Sequence, residues 1–102
     1  MRRIDRIKAM EARLDKCTEA VNALSEAAEK YFAAREDLVK LSEYYGSSLW
    51  LRDFEADEAG KLPADLKRGV LSEDAVYDLL TGHRELMAAL ARAVAGSIED
   101  NI

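Results

Sequence analysis

Cysteine and histidine occur once each among the 102 residues, proline once and glycine five times. A single cysteine allows no intrachain disulfide, which excludes a stapled secreted mini-protein. One cysteine and one histidine cannot supply a Cys/His zinc cluster. So little proline and glycine excludes a turn-rich all-β chain and any low-complexity tract. No apolar run approaches the ~18 residues of a membrane span. The basic opening Met1-Arg2-Arg3 runs straight into Ile4-Asp5-Arg6 without the apolar stretch of a signal peptide. A cytoplasmic location is therefore expected. The net charge of −5 weighs against a nucleic-acid footprint.

What is present is helix-forming sequence. Hydrophobic residues make up 49% and charged residues 34%, an ordinary foldable balance for one domain spanning residues 1–102. Residues 2–45 contain neither glycine nor proline and are rich in Ala, Glu, Lys, Arg and Leu. Two apolar rows recur every seven residues there. One is Ile7, Leu14, Val21, Ala28; the other is Met10, Cys17, Leu24, Tyr31, Leu38, Tyr45. Together they form the narrow stripe of a coiled-coil-like helix. Cys17 lies in the stripe and reads as a small core residue. Beyond Ala28 the first row fails at Arg35 and Ser42, and apolar residues move round to Phe32, Val39 and Leu41.

Gly46 suits a left-handed helix terminator, and Ser47 or Ser48 a new N-cap. Trp50 and Phe54 then share one face of a short helix that Gly60 ends. Pro63 suits a first helical turn, so Ala64–Arg68 is expected to make a turn or two before Gly69 stops it. The strongest local signal is Leu71-Ser72-Glu73-Asp74-Ala75-Val76. Ser72 is an N-cap, the two acids suit the positive end of a helix, and Leu71 with Val76 forms a hydrophobic staple. The last helix carries Val76, Leu79, Leu80, His83, Leu86, Met87, Leu90 and Val94 on a wide apolar face. Its tail, Glu99-Asp100-Asn101, is expected to fray. No period-2 alternation occurs. The fold class is all-α: a long N-terminal helix, one or two short middle helices, and a C-terminal helix folded back antiparallel on the first.

A helix of about 40 residues is roughly 60 Å long, against a radius of gyration near 13 Å for a compact chain of this size. The apolar stripe Ile4, Ile7, Met10, Leu14 should therefore stay bare unless the helix breaks, near Asn22 or Ser25, or meets another chain. A homodimer is the expected solution, with another protein as the alternative partner. The function expected is a protein-interaction module acting through a helix face.

Candidate chemistry is sparse. Tyr44, Tyr45, Trp50, Phe54 and Tyr77 gather with Asp53, Glu55, Asp57, Glu58, Lys67 and Arg68 in the middle of the chain. The plainer reading is a small second core. The alternative is a small-molecule or anion-binding module built on Tyr45, Trp50, Asp53, Lys67 and Arg68. Asp53, Glu55 and Asp57 alternate as in a calcium loop. Glu58 and Ala64 then stand where the loop needs glycine and glutamate. Lys67-Arg68-Gly69 precedes a helix N-terminus, but Glu73 and Asp74 already occupy that end. His83 lacks the preceding glutamate of a di-iron motif and reads as a partly buried structural histidine. The excess of acids after residue 72 is too scattered to mimic a phosphate backbone. Neither catalytic residues, a metal site, a cofactor, nor a nucleic-acid or membrane partner is expected.

One resemblance stands out. Tyr44-Tyr45-Gly46-Ser47, Trp50, Asp53, Leu62-Pro63 and Leu66-Lys67-Arg68-Gly69-Val70-Leu71-Ser72-Glu73-Asp74 are similar to the pattern of domain-of-unknown-function family 4298. Arg6-Ile7, Met10-Glu11 and Leu14 extend the similarity, over about residues 4–95. The resemblance implies a small helical bacterial protein with no activity to carry over, and it directs attention to Tyr44–Asp74 as the site region.

Overall fold

A computed structural model describes residues 2–102. Three α-helices follow one another: α1 (Arg3–Tyr45), α2 (Ser48–Glu58) and α3 (Ala75–Glu99), with a 3₁₀ turn at Gly69–Leu71 before the last. The described residues contain no strand. The class is all-α, with the long, short and C-terminal helices in the order that the periodicity predicts.

Two compact units are delimited, Met1–Leu38 and Val39–Ile102. The first is helical from Arg3 onward. It does not break at Asn22 or Ser25, because residues of middling propensity cost only tenths of a kcal/mol in a helix interior. No residue of α1 is buried. Cys17 is exposed, which corrects its reading as core. The heptad pattern marks a face to be covered, and its N-terminal half, from Ile7 to Leu24, is exposed.

In the second unit the junctions decide the architecture. Ser47 caps α2: its hydroxyl accepts from the Trp50 amide at 3.4 Å and donates to the Tyr44 carbonyl at 2.6 Å. Gly46 is not left-handed; its amide reaches the Ser42 carbonyl at 3.2 Å, and the cap on the next helix ends the turn instead. The left-handed position is Gly60, with φ of 70°. Its amide bonds the Asp57 carbonyl and the Lys61 amide the Ala56 carbonyl, each at 3.0 Å. That pair of bonds is a Schellman closure, which glycine permits at no steric cost.

Leu66 and Pro63 close a single turn after Pro63. Gly69 opens the 3₁₀ turn rather than stopping a helix, with the Leu71 amide on the Arg68 carbonyl and the Ser72 amide on the Gly69 carbonyl. Ser72 then accepts from the Ala75 amide at 3.1 Å, capping the turn that leads into α3, while Asp74, at the helix's own N-cap position, makes no side-chain bond there. Leu71 and Val76, the two ends of the staple, are the buried residues of the described chain, 6% and 3% exposed. Both α2 and α3 pack on the 3₁₀ turn. This small core therefore sits where the staple pattern places it.

Along α3, Leu80, His83 and Met87 are half-buried, whereas Leu79, Leu86, Leu90 and Val94 remain exposed. The tail Glu99-Asp100-Asn101, read as frayed, is hydrogen-bonded in the structure. Asn101 takes a left-handed φ of 57°, and its amide and that of Ile102 bond the Ile98 and Ser97 carbonyls. Asparagine tolerates that conformation better than other non-glycine residues, so the helix closes.

Candidate functional site

The middle-chain aromatics assemble around Trp50, which α2 presents toward the loop after it. The Trp50 ring meets Tyr45 edge-on, with centroids 5.1 Å apart, and stacks on Phe54 at 5.2 Å with 17° between planes. The i,i+4 spacing on α2 puts Phe54 there, and the cap at Ser47 sets the angle at which Tyr45 arrives. The indole N–H donates to the Val70 carbonyl at 2.9 Å. One side chain thus ties the start of α2 to the 3₁₀ turn. Such aromatic contacts add roughly 0.5–1.5 kcal/mol beyond area burial.

Polar groups of the same region are paired across the loop. Arg68 donates from Nη1 to Asp57 Oδ1 at 2.6 Å, locking the residues before the 3₁₀ turn to the end of α2. The Tyr44 hydroxyl donates to Asp53 Oδ2 at 2.6 Å. That bond, with some burial and the carboxylate's charge, pushes the Tyr44 phenol up to about 12 from its usual 10.0. A proton held by a carboxylate neighbour is hard to remove, so Tyr44 is a neutral donor at ordinary pH.

Of the residues singled out from sequence, Tyr45 and Trp50 come together in the aromatic cluster. Asp53 and Arg68 each bond another residue of the unit, and Lys67 is exposed. Tyr44, Asp57 and the Val70 carbonyl complete the arrangement. Sequence reasoning had no means of pairing them, since the partners lie nine, eleven and twenty residues apart. Among the described residues no group of three or more His, Cys, Asp or Glu side chains could hold a metal ion. Asp53, Glu55 and Asp57 lie on α2, where alternate positions point in different directions.

A second feature lies in the first unit. Ile4, Ile7, Met10 and Leu14 stand between 52 and 66% exposed along α1, and Val21 and Leu24 continue the row at 66% and 60%. Isolated surface leucines are ordinary; here the exposed apolar side chains recur at near-heptad spacing along one helix.

Fold and surface together define a small helical protein with a tied aromatic core in one unit and an open heptad face in the other. The family model described as Domain of unknown function (DUF4298) matches residues 7–92, and the chain belongs to that family. No curated protein and no solved structure matches it significantly. Among the described residues no helix is long and apolar enough to cross a membrane.

Proposed function

We propose that this chain is a cytoplasmic protein-interaction module that associates with itself through the N-terminal part of α1. The observation that carries this reading is the exposure of Ile4, Ile7, Met10 and Leu14 at heptad-related spacing on a continuous helix. Each large apolar side chain moved from water into a partner's face gains ~1.5–3 kcal/mol. These side chains are 52–66% exposed, so about half of that gain remains to be made, and four to six of them per copy match the cost of joining two chains, which is estimated at 4–15 kcal/mol or more. A second copy brings the same stripe, so one encounter covers both faces. The unit Val39–Ile102 keeps its own polar groups satisfied and serves as the folded body that the module carries.

The test is the double variant Ile7→Glu, Leu14→Glu, followed by sedimentation velocity and far-ultraviolet circular dichroism. Charges placed in the stripe should abolish association while the Trp50 core and helix α3 persist. An unchanged sedimentation coefficient would defeat the proposal.

A further inference from the structure

We infer that the occupant of the α1 stripe is a second copy running antiparallel, in a register centred between Asp15 and Lys16. The inference rests on self-association through α1 and adds its geometry.

Three observations lead there. First, the uncovered part of the stripe is bounded. Ile7, Met10, Leu14, Cys17, Val21 and Leu24 are all exposed, whereas Ala28, Tyr31 and Leu38 farther along are half-buried. The surface left for a partner therefore spans about residues 4–24. Second, that segment turned on itself gives matched layers. Ile7 meets Leu24 of the second copy, Met10 meets Val21, and Leu14 meets Cys17. No layer pairs two small side chains, and the smallest residue, Cys17, faces a leucine. In a parallel pair Cys17 faces Cys17, and a thin layer sits beside a bulky one.

Third, the charge is polarised along the helix. Residues 2–15 carry five Lys or Arg against three acids; residues 16–29 carry one against three. Antiparallel pairing lays the basic half of each copy on the acidic half of the other. Parallel pairing sets like on like at both ends, and its one matched flank is Arg6 with Glu11. On the flanks of the antiparallel register Arg6 and Arg13 lie beside Ala27 and Ala20, which leave room for their stems. Glu11 lies beside Thr18. No like charges oppose one another there.

Native lysines supply the test without any substitution. Lys8 and Lys30 lie on one unbroken helix, about 33 Å apart at 1.5 Å per residue, too far for a short amine crosslinker. In the antiparallel register Lys8 of one copy comes within about 10 Å, along the axis, of Lys30 on the other. The wild-type chain is crosslinked with a suberate ester, and the covalent dimer is digested and read by mass spectrometry, using mixed isotope-labelled copies. A Lys8–Lys30 crosslink between copies is expected, and it should vanish in Lys30→Arg. Lys8–Lys8 crosslinks without Lys8–Lys30 would mean a parallel pair and overturn the inference. Dimers lacking both would overturn the register. A monomer by light scattering would instead sink the self-association reading itself, so the two failures are distinguishable.

Discussion

Leu71→Ala is the sharpest probe of the small core in Val39–Ile102. Leu71 is 6% exposed and is covered where α2 and α3 meet the 3₁₀ turn. The substitution removes three carbon atoms, and at ~0.8 kcal/mol per buried methylene-sized group the transfer loss is about 2.4 kcal/mol. The cavity contribution is small, because the core is only two buried residues deep and its half-buried neighbour Val70 leaves the site able to collapse or admit water. An overall loss of about 2–3 kcal/mol is expected. A unit of this size holds only ~3–10 kcal/mol in total, and each kcal/mol shifts its melting point by ~4–8 °C. The melt should therefore fall by about 10–20 °C when followed by Trp50 fluorescence at fixed protein concentration. Leu66→Ala is the control: Leu66 is 48% exposed, and its loss should cost under ~0.5 kcal/mol. If the two variants melt together, Leu71 is not the centre of the core and the reasoning fails.

Three further outcomes follow from the same contacts. Trp50→Phe keeps an aromatic ring beside Tyr45 and Phe54 but deletes the bond to the Val70 carbonyl; chemical denaturation should show a loss of about 1–2 kcal/mol, and no loss would mean that the bond is idle. Ser72→Ala removes the cap on the turn into α3 and should cost ~1 kcal/mol, with faster hydrogen exchange at the Ala75 amide as its local signature. Tyr44 binds its proton more tightly in the folded state than in the unfolded state. The stability that this contributes is complete below pH 10 and is lost as pH rises through about 12. A tyrosinate absorbance step near pH 12 should disappear in Tyr44→Phe and move back toward 10 in Asp53→Ala; an unmoved step in the second variant would disconnect the carboxylate from the shift.

Much of the fold is written in local signals. The glycine-free run to Tyr45, the Ser47 and Ser72 caps and the Leu71–Val76 staple each act within a few residues, so each was readable without knowing what lies across from it. Gly46 and Gly60 show the limit. Either glycine could have been the left-handed one, and the Schellman bonds of Asp57 and Ala56 decide it. The pairings Arg68–Asp57, Tyr44–Asp53 and Trp50–Val70 were not legible. The first and third depend on how the aperiodic stretch between Gly60 and Gly69 returns to α2, the second on the angle between α1 and α2, and no spacing rule encodes either. Cys17 failed for a different reason. A heptad position says that a side chain faces the seam, while burial depends on whether a second helix fills it.

The most direct test of the central claim is the native mass of the wild-type chain by light scattering after gel filtration, across micromolar concentrations. The chain weighs 11.4 kDa, and a species of about twice that mass is expected, reverting to the single-chain mass in Ile7→Glu, Leu14→Glu. A wild-type chain that stays at 11.4 kDa throughout would contradict it.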